Sequence, residues 1–247
     1  MYRFLREPKW IVAHLLTLLL LTAFMCAGVW QFGRHQARSE RNSSVLDRSN
    51  DQFLTADDLF SANGDIEFRL VQLEGLWSED DAVLIRNRSH KEAAGCHLAV
   101  PLVSDVSRAT LVTVGWLPQS SCDTYKFELP LGDVSLTGRV RLSQKRGAIG
   151  ARDASTGVLT SLARTDVSRI GQQVSYPLAP VYVELIASEP ELVDAFPLEP
   201  PPTNLGPHLG YAVQWFLFFA VGIVGYPLVL RRHSRKGQAE DLGPVDD

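Results

Sequence analysis

The sequence predicts a membrane protein with two transmembrane α-helices and an intervening, mainly antiparallel β domain, barrel-like and with short helices, held outside the cytoplasm. Three observations predict this. An apolar run long enough to cross a bilayer lies near each end of the 247 residues. Short stretches of strand-like alternation, spaced by Gly, Asp and Ser, fill the middle. Basic residues crowd the far end of the second run.

Residues 10–29 read WIVAHLLTLLLLTAFMCAGV, about the twenty residues that a ~30 Å hydrocarbon layer requires. Arg3, Arg6 and Lys9 ahead of them would also suit a signal peptide. The run is longer than a usual signal core, however, and no small-x-small cleavage site follows it, so a retained helix is expected. Residues 209–230 form the second run, LGYAVQWFLFFAVGIVGYPLVL, with Pro227 in its last turn, where a missing backbone donor matters least. Arg231, Arg232, Arg235 and Lys236 follow at once, whereas residues 189–207 contain no Lys or Arg. The positive-inside rule then puts the C-terminus in the cytoplasm, and two spans bring the N-terminus to the same side. The expected organisation is a cytoplasmic N-terminus (1–9), a first helix (10–30), an extracytoplasmic domain (31–207), a second helix (208–230) and a cytoplasmic tail (231–247).

Past the first run, GRHQARSERNSSVLDRSN is polar and compatible with a helix leaving the bilayer. Thr55 and Asp58 are spaced as a capping box for a short helix, ADDLFSAN, ending at Gly64. Strands are expected from Ile66 through Leu70 up to a break at Gly75, then over 83–86, 97–103, 110–117, 134–142, 158–163 and 181–186. Residues 166–170 read as one helical turn ending at Gly171. Many short strands between such turns point to an antiparallel sheet curled toward a barrel. FPLEPPPTNLGPH would return the chain stiffly to the membrane. Cys96 and Cys122 bracket the hairpin of 97–103 and 110–117, which brings their backbones near each other and permits a disulfide in an oxidising compartment. Cys26 lies within the first span and packs as a small apolar residue.

A net charge of −4, with Lys and Arg scattered or held at the membrane ends, offers no basic field for nucleic acid. No nucleophile elbow, phosphate-cradling loop or zinc-protease helix is present, so no enzyme activity is expected. The informative polar groups sit at the membrane. His208, Tyr211 and Trp215 fall at i, i+3 and i+7, on one helical face. An imidazole at the rim of an apolar helix pair suits axial ligation of a haem iron. The same residues also suit an interfacial belt that merely anchors the helix among headgroups. The first run ends in Gly28, Val29, Trp30, Gln31, Phe32, Gly33, Arg34 and His35. Antiparallel helices put this end on the same side as His208. Arg34 would pair there with an anionic group such as a haem propionate, and His35 would offer a second nitrogen; a snorkelling Arg and a solvated His are the plainer reading. His14 is roughly a membrane thickness from His208, so one iron cannot use both.

GVWQFGRH after the first run and GPHLGYAVQWFLF entering the second resemble the Surfeit locus protein one family of cytochrome c oxidase assembly factors. VGWLP at 114–118, LTGRVRLS at 136–143 and APVYVEL at 179–185 are similar to further stretches of that family, in the expected order. The resemblance covers about residues 10–230. Val114 stands where the family usually has an Arg before Gly-Trp, and Cys96 and Cys122 lie outside its pattern.

This resemblance implies a factor of the bacterial inner membrane that binds haem a transiently and assists its insertion into the catalytic subunit of a haem-copper oxidase. His208 becomes the iron ligand by this resemblance, with Trp30, Arg34, Tyr211 and Trp215 around it. The implied partners are the oxidase catalytic subunit, haem a synthase and the lipid bilayer. The alternative is a resident accessory subunit of the oxidase or of a respiratory supercomplex, without haem transfer. A two-span sensor is disfavoured, because the cytoplasmic tails are too short for an output domain.

Overall fold

After the first apolar run the sequence holds no proline and a single glycine up to residue 49, so nothing ends the helix at the edge of the apolar stretch. A computed structural model describes residues 3–61, 66–105, 108–125, 127–192 and 195–240. In it α1 is one helix, Pro8–Ser49, about 63 Å long at 1.5 Å per residue. Pro8 occupies the first turn, where its missing N–H is no loss. The second long helix, α5, spans His208–Glu240. It runs through Pro227, so this proline is interior to the helix and not in its last turn. Both α1 and the stretch His208–Arg235 are long and apolar enough to cross a membrane.

Between them the chain forms α2 (Ala56–Phe60), β1 (Leu70–Trp77), β2 (Val83–His90), β3 (Ala93–Asp105), β4 (Arg108–Pro118), α3 (Gln119–Thr124), β5 (Val134–Leu142), β6 (Ser161–Leu162), α4 (Val167–Ile170) and β7 (Leu178–Glu189). The chain divides into two compact units. One is Ser44–Pro202, and the other holds the residues before and after it, with α1 as far as Ser43 and all of α5.

The seven strands make one sheet in the order β1-β5-β7-β4-β3-β2-β6. The expectation of a mainly antiparallel, barrel-like sheet holds in part: most neighbouring strands pair antiparallel, but the sheet is mixed. β7 lies parallel to β4, with Leu111 opposite Tyr182 and Val112 opposite Val183, and β6 lies parallel to β2. β1 also meets β3 over two residue pairs, Leu76 with Val103 and Trp77 with Leu102. The break expected at Gly75 is absent; Gly75 continues β1 opposite Val134. A Cβ there would lie 2.3 Å from the Val103 carbonyl oxygen, so only glycine lets β1 approach β3.

The hairpin β3–β4 forms as expected, and β5 has the expected bounds. β4 shows no alternation because both of its faces are covered. Val112 and Val114 pack with Leu59, Leu98 and Val183 on one side, and Leu111 packs with Ile85, Leu162 and Ile170 on the other. The capping box is present: the Thr55 backbone N–H donates to Asp58 Oδ2 at 2.8 Å. The expected helix end at Gly64 lies outside the described residues. Asp166 caps α4 by accepting from the Arg169 backbone N–H at 3.1 Å. Cys96 and Cys122 form a disulfide, with Cα atoms 6.1 Å apart, that ties α3 to β3. Cys26 is a free thiol on the exposed side of α1.

Candidate functional site

The less exposed positions of α1 recur at steps of four and three: His14, Thr17, Leu21, Phe24, Gly28, Gln31, His35, Arg38 and Asn42. The same rhythm on α5 picks out His208, Ala212, Trp215, Phe219, Gly222 and Tyr226. A repeat of 3.5 residues keeps one stripe of each helix facing its neighbour in a left-handed, coiled-coil-like pair. Deep in this seam Phe24 stacks on Trp215, with ring centroids 5.7 Å apart, and touches Phe218 at the same distance. Gly28 lets the Phe216 ring lie against the backbone of α1. Near the start of α1 the Tyr226 hydroxyl hydrogen-bonds His14 Nδ1. His14 is therefore remote from His208, as expected.

His208 opens α5 on this stripe. Its Nδ1 lies 2.9 Å from Gln31 Oε1, and its Nε2 lies 3.4 Å from Arg38 Nη1. A guanidinium can only donate, so Nε2 is the acceptor and the ring proton sits on Nδ1, which donates to Gln31. That assignment rests on the partners and is the tautomer in which the Nε2 lone pair faces Arg38. Gly206, at φ +65°, folds the entry to α5 close against this pair: a Cβ there would lie 2.8 Å from Arg38 Nη1 and 3.5 Å from His208 Cδ2. Asn42, one turn further along, anchors the returning chain by donating to the Thr203 carbonyl at 2.6 Å. His35 falls between Gln31 and Arg38 on the stripe, and its Nδ1 is buried without a hydrogen-bond partner among the described residues.

Of the residues singled out by sequence, the seam takes His208, Trp215 and His35. Trp30 is 61% exposed, Tyr211 48% exposed, and Arg34 is exposed as well, so these three point away from it. The reason is the repeat. Ala212, 1% exposed, takes the seam position next to Tyr211, and Gln31 and His35 take those beside Trp30 and Arg34. Sequence reasoning missed Gln31 and Arg38, the two side chains that touch His208. The four-three alternation on α1 was the signal that could have found them.

The donor set fits a haem by its chemistry. An imidazole presents an unprotonated Nε2, an arginine beside it can pair with a carboxylate, and an aromatic cluster follows about two to three turns deeper. No group of three or more His, Cys, Asp or Glu among the described residues is placed to hold a bare metal ion.

A second polar cluster lies within the sheet domain. His90 stacks on Phe196 at 5.9 Å and lies 5.4 Å from the Trp116 ring. His97 and Glu184 line the same cleft of about 170 Å³. Burial, and then the positive charge of Arg88, push the His97 imidazole down to about 4, so it is neutral near pH 7.

The sequence profile of the SURF1 family matches residues 18–220 of the chain. SURF1-like proteins of Mycobacterium bovis and of two strains of Mycobacterium tuberculosis, all described as uncharacterised, are each 24% identical to it over 249 residues. That similarity covers 97% of this chain and 90% of each relative.

Proposed function

The chain belongs to the SURF1 family, which is linked to cytochrome oxidase assembly, and on that premise we propose that it carries haem a to the catalytic subunit of a haem-copper oxidase. The observation that carries this reading is the state of His208, with Nδ1–H committed to Gln31 and Nε2 left as an acceptor. A histidine that ligates iron through Nε2 characteristically gives its other nitrogen's proton to an oxygen acceptor, and Gln31 fills that role here. Arg38 would leave Nε2 and pair with a propionate, taking the part that the sequence assigned to Arg34. Phe24, Trp215 and Phe218 would cover the apolar face of the macrocycle. His35 is available as a second nitrogen. The cargo supplies an iron that accepts nitrogen ligands and a largely apolar ring. The protein's residues bind and orient it and keep water away.

Delivery requires release, so moderate affinity suits this work, and the protein turns over no substrate. In this reading the two helices cross the bacterial inner membrane with both termini in the cytoplasm, and the sheet domain lies outside. The arginines after the second apolar run support that orientation, as does a disulfide in the domain, since such bonds persist in oxidising compartments. The oxidase catalytic subunit and haem a synthase are the proposed partners.

The test is an optical spectrum of the full chain purified from a strain that makes haem a. His208→Ala should lose the haem absorbance, and Gln31→Leu should weaken it by about tenfold in occupancy-limiting haem, because a second-sphere partner typically matters by that order. Unchanged spectra and occupancy in His208→Ala would remove the ligand assignment. Deleting the gene should lower oxidase activity while haem a synthesis continues.

A further inference from the structure

The connection from β5 to β6 runs over residues 143–160, longer than a compact domain needs to join two strands, and loops of that length usually do something. With the α4 region it forms a half-open cleft of about 280 Å³, lined by Arg146, Arg152, Arg164 and Arg169 together with Asp153 and Asp166. Of the four guanidiniums Arg146 and Arg152 are exposed, Arg164 is half-buried and Arg169 is buried, so the cleft is strongly positive and its inner end is poorly solvated.

The two carboxylates do not neutralise this charge. Asp153 is already paired with Arg86, whose Nη2 lies 2.7 Å from Oδ1, and it also accepts from the Ala163 backbone N–H. Asp166 is turned to the start of α4, where it accepts from the Arg169 backbone. Among the described residues, no carboxylate lies within ion-pair distance of Arg146, Arg152, Arg164 or Arg169. Instead the loop's backbone aims them. Arg169 Nε and Nη2 donate to the Ala154 and Gly157 carbonyls at 2.8 and 2.7 Å. Arg164 Nη1 donates to the Ala151 carbonyl at 3.0 Å, and Arg146 Nε to the Gly150 carbonyl at 3.2 Å. Carbonyls satisfy N–H groups and fix their direction, but they do not neutralise charge. Arg169 is the decisive case. It is only 9% exposed, and a buried guanidinium without a counter-ion is costly.

We propose that this cleft is a binding site for a phosphate group. Several planar donor forks converging from different sides match a tetrahedral dianion, whose terminal oxygens accept from more directions than the two oxygens of a carboxylate. Arg152, which makes no hydrogen bond or ion pair among the described residues, is the fork left to close on it. The group is either free phosphate, which offers the full set of terminal oxygens, or the phosphodiester of an anionic phospholipid, which shares the tetrahedral phosphorus centre but offers two terminal oxygens and a single charge.

Calorimetric titration of the full chain with sodium phosphate, at constant ionic strength, tests the site. The chain is held first in maltoside micelles and then in nanodiscs of phosphatidylcholine with or without phosphatidylglycerol. Saturable binding is expected in micelles, weakened at least about tenfold in Arg152→Ala/Arg164→Ala, which removes two charge-assisted contacts. Phosphatidylglycerol that competes with phosphate identifies the lipid as the natural source; phosphate binding indifferent to it identifies the free anion. No phosphate-dependent heat up to roughly 10 mM, or equal affinity in the wild type and the variant, overturns the proposal. Should the double variant not fold, Arg152→Gln alone, at the unpartnered side chain, gives the same comparison.

Discussion

His97 makes the sheet domain sensitive to acid in a way that can be computed. The residue sits in β3 between Ile85 of β2 and Trp116 of β4, and burial, then Arg88, hold its pKa near 4 against 6.5 in an unfolded chain. The folded value is the lower one, so the unfolded chain takes up the proton first. Stability is complete above about pH 6.5 and is lost as pH falls from there to about 4. With these two values the loss is about 2 kcal/mol at pH 5 and levels off near 3 kcal/mol below the folded pKa. For the unit Ser44–Pro202, an unfolding entropy of about 0.33 kcal/mol/K turns the pH 5 figure into a fall of roughly 6 °C in Tm. Carboxylates titrate in the same range, so the quantity to follow is the difference between wild type and His97→Gln. Thermal unfolding read by tryptophan fluorescence, between pH 7.5 and 4.5, should show the wild type losing about that much more than the variant. A difference that stays flat across this range would refute the buried neutral imidazole.

The disulfide joins residues 26 apart, so a chain-entropy account gives it about 3.5 kcal/mol; Cys96→Ser/Cys122→Ser should lower Tm by about 10 °C, and a change within 2 °C would contradict that. Gly75→Ala places a methyl against the Val103 carbonyl and should cost about 1–3 kcal/mol, with amides of residues 75–77 exchanging faster; unaltered exchange would mean that β1 and β3 adjust freely.

Local signals in the sequence were read well where local physics decides the structure. Twenty apolar residues dictate a membrane-length helix, Asp166 and Gly171 frame one helical turn, and two neighbouring runs rich in aliphatic and β-branched residues define the β3–β4 hairpin. The sheet's parallel pairs were not legible, because the pairing of β4 with β7 joins residues some seventy apart and leaves no periodic trace in either strand. Gly75 looked like a strand end because glycine usually is one; here it marks a close crossing. At the helix rim, the i, i+3, i+7 reading of His208, Tyr211 and Trp215 is right for an isolated helix. Packing against α1 tightened the repeat to 3.5 and chose Ala212 over Tyr211. The arginine cleft was invisible because its four members are spread over 146–169 and meet only when the long loop folds back.

The place of β7 has a temporal consequence. It is the final strand to leave the ribosome, yet it occupies the slot between β5 and β4 at the heart of the sheet. Until it arrives, both flanks of that slot expose unpaired backbone and rows of aliphatic side chains, an invitation to aggregate. Only eighteen residues separate Glu189 from His208, so the last piece of the sheet and the second long helix emerge nearly together. Completion of the body is thereby coupled to arrival of the imidazole, and a half-made chain has neither.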